Sequence, residues 1–197
     1  MFVQVGSMER LVPGATAGQL FFYFIMYSFL GWVLEGSYNL YSKGSFRKEG
    51  FLKGPFKPMY GCAPLLMLLA GELAPPWWLF LLLGLLVPTG VEFASGWLLQ
   101  RLFHKQWWDY SGLRCQWQGH ICLRFSLYWW ILIMVSVFTI QPLMVLLYRQ
   151  IEFLWGYMLP GAAVLFASDL LWTCRTRLRG RNESVLASEL ELGEGEV

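Results

Sequence analysis

Charge is what this 197-residue chain has least of. Asp, Glu, Lys and Arg together make up 14% of it, where a water-soluble domain carries about 25%. That shortage rules out a soluble globular protein, which could not cover its surface with so few charges. Catalytic signatures are scarce as well. There is no G-x-x-x-x-G-K-[ST] phosphate loop, no G-x-S-x-G nucleophile elbow and no H-E-x-x-H pair, so the chain has no Walker site of its own with which to hydrolyse ATP. The basic residues lie between apolar runs rather than along a soluble face, which leaves nucleic-acid binding unsupported. No internal repeat is present.

Apolar residues are abundant: 56% of the chain is hydrophobic and 18% aromatic, and the mean hydropathy is +0.46. Bridging a hydrocarbon core of ~30 Å takes roughly 20 apolar residues. The expected architecture is all-α, a polytopic membrane helical bundle with about five transmembrane helices. The first span covers about residues 18–41 and lacks a small-x-small cleavage pattern, so it is expected to stay attached. The second, about 58–73, opens on Pro58 and is interrupted by Pro64, leaving a partly re-entrant or broken helix as an alternative. The third, 77–103, is the longest apolar run. The fourth (125–148) and fifth (152–173) are separated only by Arg149-Gln150 and their neighbours, which predicts an antiparallel helical hairpin. The chain thus divides into an extracytoplasmic segment 1–17, a membrane domain 18–173 and an acidic tail 174–197, whose composition predicts disorder.

Positive charge orients the bundle. With five spans, Lys43, Arg47, Lys48, Lys53, Lys57, Arg101, Lys105, Arg114, Arg124, Arg175, Arg177, Arg179 and Arg181 fall on one side, and only Arg10 and Arg149 on the other. The positive-inside rule then puts the N-terminus outside and the C-terminus in the cytoplasm. Four or six spans would destroy the asymmetry. Cys62, Cys115, Cys122 and Cys174 would lie at or near the reducing face, where no structural disulfide is expected. Asn182-Glu183-Ser184, on the same side, would never meet the glycosylation machinery.

Acidic residues inside spans are the sharpest functional signal, because an ionised carboxylate at the bilayer centre costs at least ~2.5–3.5 kcal/mol unless paired or hydrated. Three qualify: Glu35, Glu92 and Asp169. Glu35 shares a helical stripe with Ser28, Gly31, Tyr38 and Asn39, and Glu92 shares one with Pro88, Thr89, Ser95, Gly96 and Gln100. Both stripes are small and polar and should face the bundle interior. One reading is a cytoplasm-facing cavity whose carboxylates bind a cation, a proton or a polar substrate. The structural reading is interhelical hydrogen bonding, or neutralisation by the connector lysines. Asp169, near a helix end and close to Arg175, fits the structural reading better.

The connector Gly50–Gly61 (GFLKGPFKPMYG) is irregular and rigid by composition. Its exposed amides, with Lys53 and Lys57, could hold an anion such as a lipid phosphate, or it is an interfacial turn with ordinary positive-inside lysines. Gly54, Pro55 and Tyr60 belong to it as candidate binding residues, expected to pack at the inner mouth beside Asp109 and Tyr110. Trp107-Trp108 in the third connector read as interfacial anchors. His104, Cys115, His120 and Cys122 match no standard zinc spacing, so no metal or cofactor is expected.

These residues carry a family resemblance. Tyr27-Ser28-Phe29-Leu30-Gly31-Trp32 with Glu35, the Gly50–Gly61 connector, Glu92, Trp107-Trp108-Asp109-Tyr110, and Gly119-His120-Ile121-Cys122-Leu123 with Ser126 resemble, in that order, the bacterial ABC-transporter type IV, or CmpB-like, membrane proteins. His120 stands where many members are expected to carry Arg or Lys. The resemblance covers most of residues 20–145. It implies a permease-like component of the bacterial plasma membrane, working among membrane lipids and with a separate ATPase or other membrane subunit as partner. On that reading Glu35, Glu92, Lys53, Gly54, Pro55, Tyr60, Asp109 and Tyr110 line or rim the cavity. Two other classes stay open. One is an intramembrane enzyme acting on a lipid or isoprenoid phosphate, with Glu92 or Asp109 as acid or base. The other is a non-catalytic regulatory or assembly protein.

Overall fold

A computed structural model describes residues 14–46 and 50–194, with side chains as far as residue 180. Helix α1, Ala17–Lys43, begins where the Thr16 hydroxyl accepts the Gln19 amide at 3.2 Å, the usual service of an N-cap threonine. It ends at Gly44, whose left-handed φ of 70° lets its amide return to the Leu40 carbonyl at 2.9 Å. Helix α2, Pro58–Glu72, starts on the proline that could open it and runs unbroken through Pro64. At 15 residues it is about 22 Å long at ~1.5 Å per residue, short of a full hydrocarbon core. Helix α3, Trp77–Phe103, has the bounds its apolar run predicts.

The connector after α3 contains an addition to the all-α expectation, a two-residue antiparallel ladder of β1 (Gln116–Trp117) and β2 (Ile121–Cys122). Its turn passes through Gln118 and Gly119, both at positive φ. Helix α4, Leu123–Val135, then leads through a π-helical turn, Ser136–Ile140, into α5, Gln141–Glu194. Among the described residues three helical stretches are long and apolar enough to cross a membrane: Ala17–Lys43, Trp77–Phe103 and Leu123–Gly180.

The last stretch departs from the expected hairpin in having no break between its arms. Backbone helicity is not interrupted at Arg149-Gln150, because Tyr148-Arg149-Gln150-Ile151-Glu152 contains no glycine, proline or capping residue to end a helix. Nor does the helix stop at Thr173. It runs to Glu194, since extending an existing helix avoids the cost of a new nucleus and the added Leu, Ala, Glu and Arg are strong helix formers.

The continuous helix is nevertheless not straight. The Trp129 ring lies 4.6 Å from that of Tyr60, while about forty residues later Asp169 meets Gly54. A straight helix would separate those two stations by roughly 60 Å, yet Gly54 and Tyr60 are neighbours in sequence. Between them the helix passes Phe22, whose ring meets both Tyr148 (5.4 Å) and Trp155 (5.2 Å). The Trp155 indole donates to the Gly18 carbonyl at 2.9 Å, and Phe166 then packs on Phe24. The chain therefore climbs along α1 to its start and descends again to the connectors.

The core is built where these elements meet: Phe22, Tyr23 and Tyr27 of α1, Ala63, Met67 and Leu68 of α2, Phe80 of α3, and Ile133, Val137, Tyr148 and Trp155 of the long helix. Much of the outer surface stays apolar, as lipid contact requires. The two connectors and the part of α5 that carries Asp169, Trp172 and Arg177 gather on one face, called the connector face below.

Candidate functional site

Two close helix approaches set the site. Gly31 of α1 lies directly against the Tyr60 ring, and Gly61 of α2 against Ser28, so that a Cβ at either glycine would overlap its neighbour. Small residues let the backbones approach, the usual device of helix packing in membranes. Tyr60 is thereby wedged between α1 and Trp129 of α4.

Glu35 faces this junction. Its Oε2 pairs with Lys57 Nζ at 2.9 Å, both side chains about 15% exposed (15% and 14%), and its carboxylate accepts a hydrogen bond from the Tyr60 hydroxyl. The connector lysine does neutralise Glu35, as the structural reading has it. The pair also lines a cavity of about 370 Å³, bounded by Phe24 of α1, by Gly50, Phe51, Leu52 and Phe56 of the connector, by Leu98 and Leu99 of α3, and by Phe166 of α5. The cavity is an apolar chamber with one ion pair in its wall.

Glu92 lies beyond it, inside the bundle. It is 2% exposed and does not line the chamber. Its Oε1 accepts the Tyr110 hydroxyl at 3.0 Å, and among the described residues Oε2 has no hydrogen-bond partner. The Trp129 indole is directed at the carboxylate from α4 without closing an ordinary hydrogen bond to Oε2. Tyr60 stands within electrostatic reach of both Glu35 and Glu92. Lys57, Glu35, Tyr60, Glu92 and Tyr110 thus form a row of polar groups leading from the chamber wall into the bundle.

Tyr110 is held in that row by its own connector. Its amide donates to the Gly119 carbonyl at 2.9 Å, and its ring stacks on Phe125 at 4.6 Å. Burial pushes its hydroxyl well above the ordinary tyrosine value, and the Glu92 charge adds to that. Asp109 does different work. It is exposed, and its Oδ1 accepts the Ser111 amide at 2.8 Å, a bond that holds the carboxyl below its usual range. Asp109 shapes the turn; Tyr110 reaches inward.

The remaining candidates scatter. The Gly54 amide donates to Asp169 Oδ2 at 3.0 Å, a contact between the connector and α5 that gives Asp169 a partner more than 100 residues away. No spacing could have revealed it. Pro55 is exposed. Lys53 turns away from the chamber, its Nζ 5.5 Å from the Trp172 ring. The connector packs on the end of α3 and on the following connector, through Phe51 on Phe103 (5.3 Å) and on Trp107 (5.7 Å).

Sequence reasoning missed Gln141. It is 1% exposed, and its Oε1 accepts the Tyr27 hydroxyl at 2.9 Å. That hydroxyl also approaches the Ser136 carbonyl at 3.3 Å, next to the π turn. A lone glutamine within the expected fourth span was the available signal.

The family described as Putative ABC-transporter type IV (CmpB) matches residues 22–174. The chain belongs to this family. The matched stretch takes in α1 from Phe22 onward, α2, α3, both connectors and the returning helix as far as Cys174, so the polar row lies entirely within it. No curated protein and no solved structure matches the chain. Family membership and the three long apolar helices together make it a membrane protein.

Proposed function

We propose that the protein is a permease-like component of a transport system in the bacterial plasma membrane, and that the chamber on the connector face is its inner vestibule. The observation that carries this reading is the row from Lys57 and Glu35 through Tyr60 to Glu92 and Tyr110. It runs inward from a cavity, and it ends at a buried carboxylate, one oxygen of which closes no ordinary hydrogen bond among the described residues. Such a row gives a proton, a cation or a polar group a series of stations where plain hydrocarbon packing would offer none.

The membrane topology belongs to the same proposal. Climbing and descending, the helix from Leu123 makes two passes, and with α1, α3 and α2, itself short of a full hydrocarbon core, the chain crosses five times. The connector face carries most of the Lys and Arg, which makes it cytoplasmic under the positive-inside rule. The N-terminal segment is then outside and the polar tail from 174 onward cytoplasmic. With no phosphate loop of its own, a transport component of this kind takes its energy from a separate ATPase or another membrane subunit.

Affinity purification of the full chain in mild detergent tests the reading. A stoichiometric ATPase or membrane subunit should come down with it, and should remain with Glu35→Gln and Glu92→Gln variants. Recovery of the chain alone from its native membrane would count against a transport complex. The enzyme reading draws on the aromatic, apolar wall of the chamber, which suits a lipid chain. Turnover of a headgroup by the purified protein, lost in Glu92→Gln, would favour it instead.

A further inference from the structure

Glu92 is held on one side only. It is 2% exposed, and the two oxygens of a carboxylate offer about four acceptor sites. The Tyr110 hydroxyl fills one of them, on Oε1 at 3.0 Å. Among the described residues Oε2 closes no hydrogen bond, and no cation pairs with the carboxylate.

The ionisable groups on the elements around it are engaged elsewhere or neutral. From α1 comes Glu35, paired with Lys57, and from α2 Tyr60, which donates to Glu35. The second connector supplies Tyr110, with Cys122 in electrostatic reach of it. Helix α4 directs the Trp129 indole at the carboxylate, while its Arg124 bonds Tyr128 at the surface. Asp169 of α5 takes the Gly54 amide. One turn along α3 from Glu92, His120 packs against Gly96, where a Cβ would stand 3.0 Å from Nδ1. That nitrogen is buried as well, and has no partner among the described residues.

A carboxylate stripped of water and given no counterion neutralises itself by taking a proton. A metal ion suits the place less well, because it needs several oxygen ligands, whereas Tyr110 and Trp129 turn an O–H and an N–H toward Glu92. Among the described residues no group of three or more His, Cys, Asp and Glu side chains could hold a metal ion.

We propose that Glu92 is the proton-binding station of the row: it takes a proton from water onto Oε2 while Tyr110 continues to donate to Oε1, and it returns that proton to water. As the ligand of the row's inner end, the proton rests on the permease reading. Its presence on Glu92 is read on the purified chain alone, so failure here and failure of the co-purification are separate results.

Infrared spectra of the full-length protein in detergent, taken from about pH 5 to pH 9, test the proposal. An ordinary exposed glutamate, with a pKa of about 4.3, is almost wholly ionised at neutral pH. The wild-type protein should nevertheless show there the C=O stretch of a protonated carboxyl, falling as pH rises, and Glu92→Gln should lack it. Tyr110→Phe, which removes the donor to Oε1, should keep the band and shift its frequency. Coincident wild-type and Glu92→Gln spectra in this region would overturn the proposal. So would a band unmoved by Tyr110→Phe, which would belong to another carboxyl, or one that persists unchanged to the alkaline end, since a proton never released is structural. Loss of the band on adding sodium at constant pH would overturn it too, and would assign the station to a metal cation.

Discussion

Individual residues here divide into those that let elements touch and those that carry charge. Gly54 does the first: a Cβ placed on it would stand 2.8 Å from Asp169 Oδ2. Gly54→Val should therefore break the amide-carboxylate contact and lower stability by about 1–3 kcal/mol, the cost of leaving a partly buried polar group unmet. Lys43→Gln should change stability by less than ~0.5 kcal/mol, as an exposed surface change does. Thermal unfolding of both variants in one detergent checks the contrast, and equal melting temperatures would remove Gly54 from the argument. Glu92 does the second. Glu92→Gln keeps an acceptor for Tyr110 and removes the buried charge, so stability should hold or rise. Glu92→Ala strands the Tyr110 hydroxyl and should cost about 1–3 kcal/mol. Tyr110 itself predicts a pH dependence. Its folded pKa is raised, so its contribution is fully present below the free tyrosine value of ~10 and is lost as pH climbs above it. Tyr110→Phe should flatten the alkaline fall in stability between about pH 10 and 12, and an unchanged slope would show that other groups govern it.

The element that matters most is the returning helix from Leu123. It is apolar enough to cross a membrane, but it contains no glycine or proline between Leu123 and Gln141 and no break at Arg149. Helical hydrogen bonding therefore continues while tertiary contacts draw both arms onto α1. The π turn Ser136–Ile140 sits beside the buried Tyr27 to Gln141 bond, where an extra residue in the turn changes the helical register against α1. Lys53→Cys combined with Trp172→Cys gives a direct check, since Nζ of Lys53 reaches the Trp172 ring. A short bifunctional thiol reagent should cross-link that pair within one chain. A helix running straight on from Trp129 would carry residue 172 roughly 60 Å away, and no intramolecular product would form.

At the scale of the whole molecule the prediction concerns sidedness. Single cysteines placed after Gln150 and near the C-terminus, in a background lacking the native cysteines, should be labelled from opposite faces of sealed vesicles by an impermeant thiol reagent. The first lies where the long helix passes the start of α1, by Trp155 and Gly18. The second follows the end that stacks Arg177 on Trp107 of the connector face. Labelling of both from the same face would mean that the helix does not cross twice, and would take the cytoplasmic assignment of the connector face with it.

Apolar run length and charge placement are written locally, which is why the membrane class, the bounds of α3 and the start of α2 at Pro58 could be read from the sequence alone. Glu35 and Glu92 could be singled out for the same reason, because each sits on a stripe of small and polar neighbours at helical spacing. Distances between remote segments have no such local record. Only the tertiary structure brought Gly54 to Asp169, set Tyr60 between two carboxylates, turned Lys57 toward Glu35 and Lys53 toward Trp172, and placed Arg177 and Lys105 on one indole. The contacts of Gly54, Lys53 and Arg177 depend on how the helix from Leu123 folds back, and that of Lys57 on how α1 meets the first connector. The fold-back is decided by close packing of Phe22 with Tyr148 and Trp155, and the second approach by that of Gly31 with Tyr60, contacts whose energy exists only once the helices have met.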